Sequence, residues 1–593
     1  MKITKYLDFG IDIKNTAGVT PYPNPGMTAS VKELLARVNP LVSKETFDEF
    51  QALLGEFLES EDAAFAAEEI ERLSQNPDSS FLYDYWIRRW AKERGPQHPH
   101  ANVPVIYDHP QLTNHSIPFK AATIIKALTD VYLEFRARGN SSYSVGRRVY
   151  SDDQMYGLLG SLQDLHEGYD TLYINDEVST NFLILHKNRV YSLEVVTEDS
   201  HSVSLANLLA TTEDIYQDQA EPLAVNVNLA TAAVSRDRGA KVLHSILDTP
   251  VNQVLYAKVK NAIGLVNLDR TCPESLIDEL KATTHDSQCF NRWAGKGIQF
   301  TINGNGTMSF ISNHTMADGG TYAHLAHLMS EKIEGLEIEA TGSSLSYEPL
   351  EFLLSDQEEQ ELVAIFQEYQ DEMRSLSVIY RALPQLTRES LRALGVLSGD
   401  GFLHLALQVA QARVFQKVRN TYAPIDARHF FKGRTKANRP VNNATLGFVE
   451  AFEEGRASKE DLLEVLDLHF RNTRLAQSGG GAERYITIVG EILKDHGRSL
   501  PAFMEHKGYQ TLNQDFITTT SFGTPEMIMS FFPPSTPQGL AVFYKVMDDT
   551  DEPSINTSSQ VVVTVYEDQE AHLETFATAI ESSISDLLSL LEE

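Results

Sequence analysis

Between Ile298 and Phe310 the apolar positions fall on every second residue. Ile298, Phe300 and Ile302 alternate with polar neighbours, Asn303-Gly304-Asn305-Gly306 supplies turn chemistry, and Met308 and Phe310 resume the alternation, which predicts a β-hairpin. The second strand then runs out into Asn313-His314-Thr315-Met316-Ala317-Asp318-Gly319-Gly320, before helical spacing resumes at Tyr322. A histidine is thereby presented at a strand end.

Elsewhere the pattern lengthens to the helical period. Helices are predicted over 30–38 and 43–58, each opening on a serine that can cap it, and over 62–73. Residues 1–20 read as an irregular lead. The aromatic cluster at 81–90 holds two of the three tryptophans, and 96–110 is expected to break regular structure and mark a first boundary. Further helices are expected over 119–138, 152–165, 205–210 and 232–247. Two strands are expected around a turn at Lys187-Asn188, and one more near 262–268. The acidic helix 355–372 marks a second boundary. The helix over 400–419, with Phe402, Leu405, Val409, Ala412 and Phe415 on one stripe, is expected to end before Pro424. Helices at 459–470 and 482–493, strands at 527–532, 541–546 and 560–566, and a last helix at 570–591 complete a mixed α/β architecture.

Length and charge narrow the picture. A chain of 593 residues exceeds one usual core, so two large domains are expected, with length enough for a third. Fifty basic against 82 acidic residues give a net charge of -32. That sign argues against nucleic acid and against an anionic membrane surface, and it obliges any anionic substrate to find a local positive pocket. Two cysteines, Cys272 and Cys289, are too few for a disulfide framework or a cysteine-based zinc site, and no metal site is predicted. With no membrane-length apolar run and no secretory or transit pattern near Met1, a soluble cytoplasmic protein is expected.

The chemistry centres on His314, a side chain able to take and return a proton near neutral pH. Asp318 and two glycines follow, giving H-x-x-x-D-G-G. One of 18 histidines will often have an acid four residues on, so it is the exit from a strand that singles this one out. Asp318 reads equally as an orienting acid or as the cap of the next helix.

These residues resemble the choline/carnitine acyltransferase family. The resemblance rests on Asn291-Arg292-Trp293, the hairpin and the histidine motif, then on Asp400-Gly401-Phe402 to Ala406-Leu407-Gln408, Thr421-Tyr422, Gly433-Arg434-Thr435 with Arg439, Glu483-Arg484 and Thr519-Thr520-Ser521, in order across nearly the whole chain. It implies two similar α/β domains of the chloramphenicol acetyltransferase type, 95–365 and 1–94 plus 366–593, with the active site in a tunnel between them. It also implies direct transfer of an acyl group from a thioester to an alcohol, with no acyl-enzyme. His314 would be the general base, Asp318 an orienting acid, and Ser521 the donor to the oxyanion, a contribution of ~2.7 to 4 kcal/mol. Thr519 and Thr520 would flank it. Tyr422, Thr435 and Arg484 would hold an acceptor carboxylate, which favours carnitine over choline.

The same comparison shows departures. Residues 389–400 contain no lysine and only Arg392, so the implied coenzyme A site rests on Arg392 and Asp400. Pro424, Phe522 and Lys436 stand where the family usually has a serine, a glutamine and an acid. Two donors therefore stay open as co-substrates, free acyl-CoA or an acyl chain on a carrier domain, the latter as in polyketide release; no permanently bound cofactor is implied. Ser530, aligned where acetyl-specific members carry a bulky residue, implies room for a longer acyl chain. A catalytically inactive binding protein is the third reading, opposed by the intact His314 and Ser521.

Overall fold

A computed structural model describes residues 14–593, apart from 16–17, 140–141, 287, 337–341, 523 and 551–553. Most of the expected irregular lead lies outside the described residues.

The strands in chain order are β1 (Asn102–Tyr107), β2 (Ser142–Val145), β3 (Arg148–Ser151), β4 (Ser161–Asp164), β5 (Thr171–Ile174), β6 (Asn181–His186), β7 (Arg189–Glu194), β8 (Leu265–Leu268), β9 (Ile298–Ile302), β10 (Met308–Asn313) and β11 (Tyr347–Pro349). They continue as β12 (Leu376–Ala382), β13 (Thr421–Asp426), β14 (Thr435–Asn438), β15 (Ile517–Ser521), β16 (Met527–Ser530), β17 (Leu540–Lys545) and β18 (Gln560–Tyr566). Two large mixed sheets result. The first has the order β11-β7-β6-β8-β9-β10-β1-β16 and the second β12-β18-β17-β15-β13-β14. Strand β16 belongs by sequence to the second half, yet it pairs with β1 at the edge of the first sheet.

The hairpin forms as its pattern predicts: β9 and β10 pair antiparallel, and Gly306 closes the turn at φ 84°, a conformation open to glycine. Every residue of both strands is buried, the polar ones included, because helices cover the sheet on both faces. The helix Gly399–Phe415 is likewise buried on all sides from Gly401 to Gln411 rather than along one stripe. The C-terminal helix Glu570–Glu592 packs against it.

Four expectations are corrected. Residues 152–165 form one short helical turn, Met155–Leu158, and then β4, because Gly160 at φ 71° ends the turn and Leu162 enters a strand pair with β5. The span 96–110 contains β1, a central strand. Pro104 removes a donor there, but its carbonyl accepts from the Ser530 hydroxyl at 2.6 Å. The helix expected to run to 419 stops at Phe415, where Gln416 turns left-handed, and Pro424 sits inside β13. Ser43 caps its helix as expected; the preceding helix starts earlier, at Met27, so Ser30 lies in its first turn.

The N-terminal helices pack on the helix Ala482–Asp495 through a core that includes Leu34, Phe50, Ile70 and Ile486. The acidic helix Asp356–Arg374 instead lies along the helix Arg236–Leu247, where Arg238 pairs with Glu361 and Glu368. Among the described residues no helix is long and apolar enough to cross a membrane.

Candidate active site

His314 sits on the loop that leaves β10, its ring 28% exposed to a cavity of about 520 Å³. Its Nδ1 lies 2.9 Å from the carbonyl oxygen of Ala317, which can only accept, so Nδ1 carries the proton and Nε2 keeps its lone pair. The Trp90 ring meets the imidazole edge-on at 5.0 Å. Burial lowers the histidine's pKa below its ordinary value; Asp318 opposes that shift and Arg434 adds to it. The ring is thus held neutral with one nitrogen ready to accept a proton.

Asp318 does not bond the imidazole directly: its Oδ1 stands 3.7 Å from Nδ1. Its carboxylate takes Arg434 Nε at 2.6 Å and Nη2 at 3.2 Å, and Gln154 Nε2 at 3.1 Å. Nor does it cap the following helix with its side chain, although it occupies the capping position. Burial would raise its pKa, but Arg434 and His314 hold it below the usual carboxylate value. Arg434, fully buried, also donates to the carbonyls of Thr315 and His314, both at 2.8 Å. The loop that carries the histidine is therefore fixed by an arginine just ahead of β14, a strand of the second sheet. The two glycines permit this closeness, since a Cβ at Gly320 would lie 2.0 Å from Arg428 and one at Gly319 2.7 Å from the Phe522 ring.

Across the cavity Arg484, 7% exposed, lies 3.7 Å over the Trp86 ring. It donates to Tyr422 Oη at 3.0 Å, to the Thr435 carbonyl at 3.2 Å and to Thr435 Oγ1 at 3.4 Å. Its neighbours Glu483 and Asp515 are taken by Arg439, so among the described residues Arg484 makes no ion pair. Thr519 and Thr520 line the same cavity.

A second cavity of about 380 Å³ adjoins the first, and Pro424 and Thr520 line both. Ser521 faces this second space, together with Asp400, Arg388 and Arg392. Arg388 reaches Asp548 at 3.2 Å, and Arg392 reaches Asp548 and Glu389 at 3.7 and 3.9 Å.

A base in one of two adjoining cavities suits transfer between two substrates, and the comparison with known families agrees. The pattern of the Choline/Carnitine o-acyltransferase family matches residues 22–582. The chain belongs to that family. Family membership makes it an acyltransferase. It is similar to a putative acetyltransferase of Mycoplasma pneumoniae, 25% identical over 98% of this chain and 96% of that protein. It is also similar to the mitochondrial carnitine O-palmitoyltransferase 2 of Bos taurus, 24% identical over 76% of this chain and 68% of that one. A solved chloramphenicol acetyltransferase overlaps 35% of this chain and 88% of its own at 11% identity and a TM-score of 0.22.

Of the residues that the family resemblance singles out, His314, Asp318, Tyr422, Thr435, Arg484, Thr519 and Thr520 come together in one cavity. Ser521, Asp400 and Arg392 come together in the next. Ser530 joins neither. It is fully buried in β16, where its hydroxyl donates to the Pro104 carbonyl at the pairing with β1. Arg434, Gln154, Trp86 and Trp90 were not read as site residues from sequence. The signal that could have found Arg434 is the acyltransferase motif Gly433-Arg434-Thr435, in which the arginine and the threonine both serve the site.

Proposed function

We propose that this acyltransferase moves an acyl group from a thioester, delivered through the Asp400 cavity, to the hydroxyl of a small carboxylate-bearing acceptor such as carnitine. The observation that carries this reading is Arg484: a buried guanidinium, flanked by two hydroxyls and free of any ion pair among the described residues, in the same cavity as a neutral histidine. His314 Nε2 takes the acceptor's hydroxyl proton as the oxygen attacks the thioester carbonyl. Ser521, next to the shared Thr520 and facing the Asp400 cavity, donates to the resulting oxyanion. Collapse breaks the carbon–sulfur bond, and the departing thiolate recovers the proton from Nε2. Asp318 serves through Arg434, by holding the loop. The halves 95–365 and 1–94 with 366–593 form the two walls, and β16 crosses between them.

The test is release of free thiol from acetyl-, octanoyl- and palmitoyl-CoA, with and without carnitine. Carnitine-dependent release is expected; none with any donor sinks the reading. A carrier-bound donor is favoured by one observation, that both arginines of the Asp400 cavity are already paired with acids. Acyl-pantetheine working as well as acyl-CoA would support a donor recognised without its nucleotide.

A further inference from the structure

Behind the wall shared by the cavities lies a cluster that the mechanism does not use. Asp400, His404 and His469 bring three potential ligand atoms within 4.8 Å of one another. Each is already engaged. Asp400 Oδ2 accepts from His469 Nε2 at 2.8 Å, Oδ1 accepts from the Tyr544 hydroxyl, and His404 Nδ1 lies 3.4 Å from Oδ1. The cluster is closed by its own hydrogen bonds, which leaves its protonation as the informative feature.

The two nitrogens of His404 face acceptors. Nδ1 lies 2.9 Å from the main-chain carbonyl of Asp400 and Nε2 lies 3.1 Å from Thr519 Oγ1. The threonine has one proton, and it goes to the carbonyl of Tyr422 at 3.0 Å. A neutral ring protonated on Nδ1 could keep both contacts only by drawing the Thr519 proton away from Tyr422, whereas an imidazolium lets all three hydrogen bonds form at once. The ring is buried between helices and strands. Asp400 on its own helix, His469 stacked at 5.5 Å, Tyr544 edge-on at 5.5 Å, and Arg388 and Arg392 on the adjoining cavity are the titratable and charged groups around it.

We propose that His404 is a positioning residue, a buried imidazolium that fixes the Asp400 carboxylate in one cavity and the Thr519 hydroxyl in the other. This rests on the donor reading of the Asp400 cavity. Through it the donor wall and the Tyr422 strand of the acceptor wall share one charge. The raised pKa of His404, which burial opposes and Asp400 imposes, agrees with the hydrogen-bond geometry.

The experiment is a pH profile of thiol release for the wild type, His404→Gln and Asp400→Asn, with melting temperatures over the same range. The wild type is expected to lose activity on the alkaline side, at an ionisation above the ordinary histidine value. His404→Gln keeps a donor to Thr519 without the charge. It should erase that limb and raise the KM of the thioester about fivefold, leaving that of the acceptor unchanged. Asp400→Asn should move the limb to lower pH. A residue that only filled space would lower activity equally at every pH, so an unchanged limb in His404→Gln overturns the proposal. Melting supplies a readout independent of turnover. Because the folded-state pKa is raised, the gap between the wild type and His404→Gln should be full at acid pH and close as pH rises through that value. A gap that does not vary with pH overturns the proposal as well. If the wild type transfers nothing, the functional reading falls, and the melting comparison still decides His404.

Discussion

The Arg484 cavity and the Asp400 cavity meet at Pro424 and Thr520, yet they treat charge in opposite ways. In the first, Arg439 absorbs Glu483 and Asp515 and leaves Arg484 against neutral hydroxyls and a tryptophan face. In the second, Asp400 is absorbed by two histidines and a tyrosine, and Arg388 and Arg392 by Asp548 and Glu389. In a chain carrying -32, a buried guanidinium whose N–H groups are given only to neutral partners is a donor set kept for an anion. The contrast teaches that the number of arginines lining a cavity says little about anion binding. What matters is which arginines the fold has left unspent.

The largest break in this arrangement is removal of the base in the Arg484 cavity. His314→Ala is expected to reduce acyl transfer by ~10²- to 10⁴-fold without changing thioester binding, measured as thiol release and by calorimetry of donor binding. Retained turnover would exclude the histidine as base. The wild type should also hold its activity below the ordinary histidine pKa, because burial lowers the value at which His314 gains a proton and ceases to act as base.

Arg484→Ala addresses the comparison itself. The acceptor's KM should rise by roughly 10- to 100-fold, the worth of a charge-assisted hydrogen bond, while the donor's stays fixed. An equal rise for both substrates would mean that the two cavities are not separately charged.

Much of this was legible in the chain and some was not. The hairpin could be read because alternation and an Asn-Gly turn are local signals, and His314 followed from its place at the strand end. Arg434 shows the opposite case: its partners Thr315 and Asp318 lie more than a hundred residues away, and only tertiary pairing of the two halves reveals that it holds the histidine loop. The pair Asp400 and His404 is visible as an i, i+4 spacing, but His469, Tyr544 and Thr519 complete it from other elements. Strand β1 was missed because Pro104 is ordinarily a breaker, and a hydroxyl from β16 compensates for it.

Ser530 gives a smaller effect. Because it is packed at the β1–β16 edge, Ser530→Met should overpack that edge and cost ~1 to 3 kcal/mol of stability, read as a lower denaturation midpoint. The acyl-length profile should stay as it was. A profile shifted toward acetyl would instead place the acyl chain along this edge and extend the first cavity beyond its present wall.

The smallest effect is expected at Arg392, and it tests the other half of the contrast. Its side chain is 63% exposed and its acids lie 3.7 and 3.9 Å away, so the pair is worth at most ~1 kcal/mol and is screened by salt. Arg392→Ala should therefore change the KM of acyl-CoA by less than about fivefold, and by the same factor for acyl-pantetheine. If it raised the KM of acyl-CoA far more, and only that one, the arginine would be leaving Asp548 to meet the nucleotide's phosphate. The Asp400 cavity would then not be a region of spent charge but one whose ion pairs open when the donor arrives, and the two cavities would differ in timing rather than in kind.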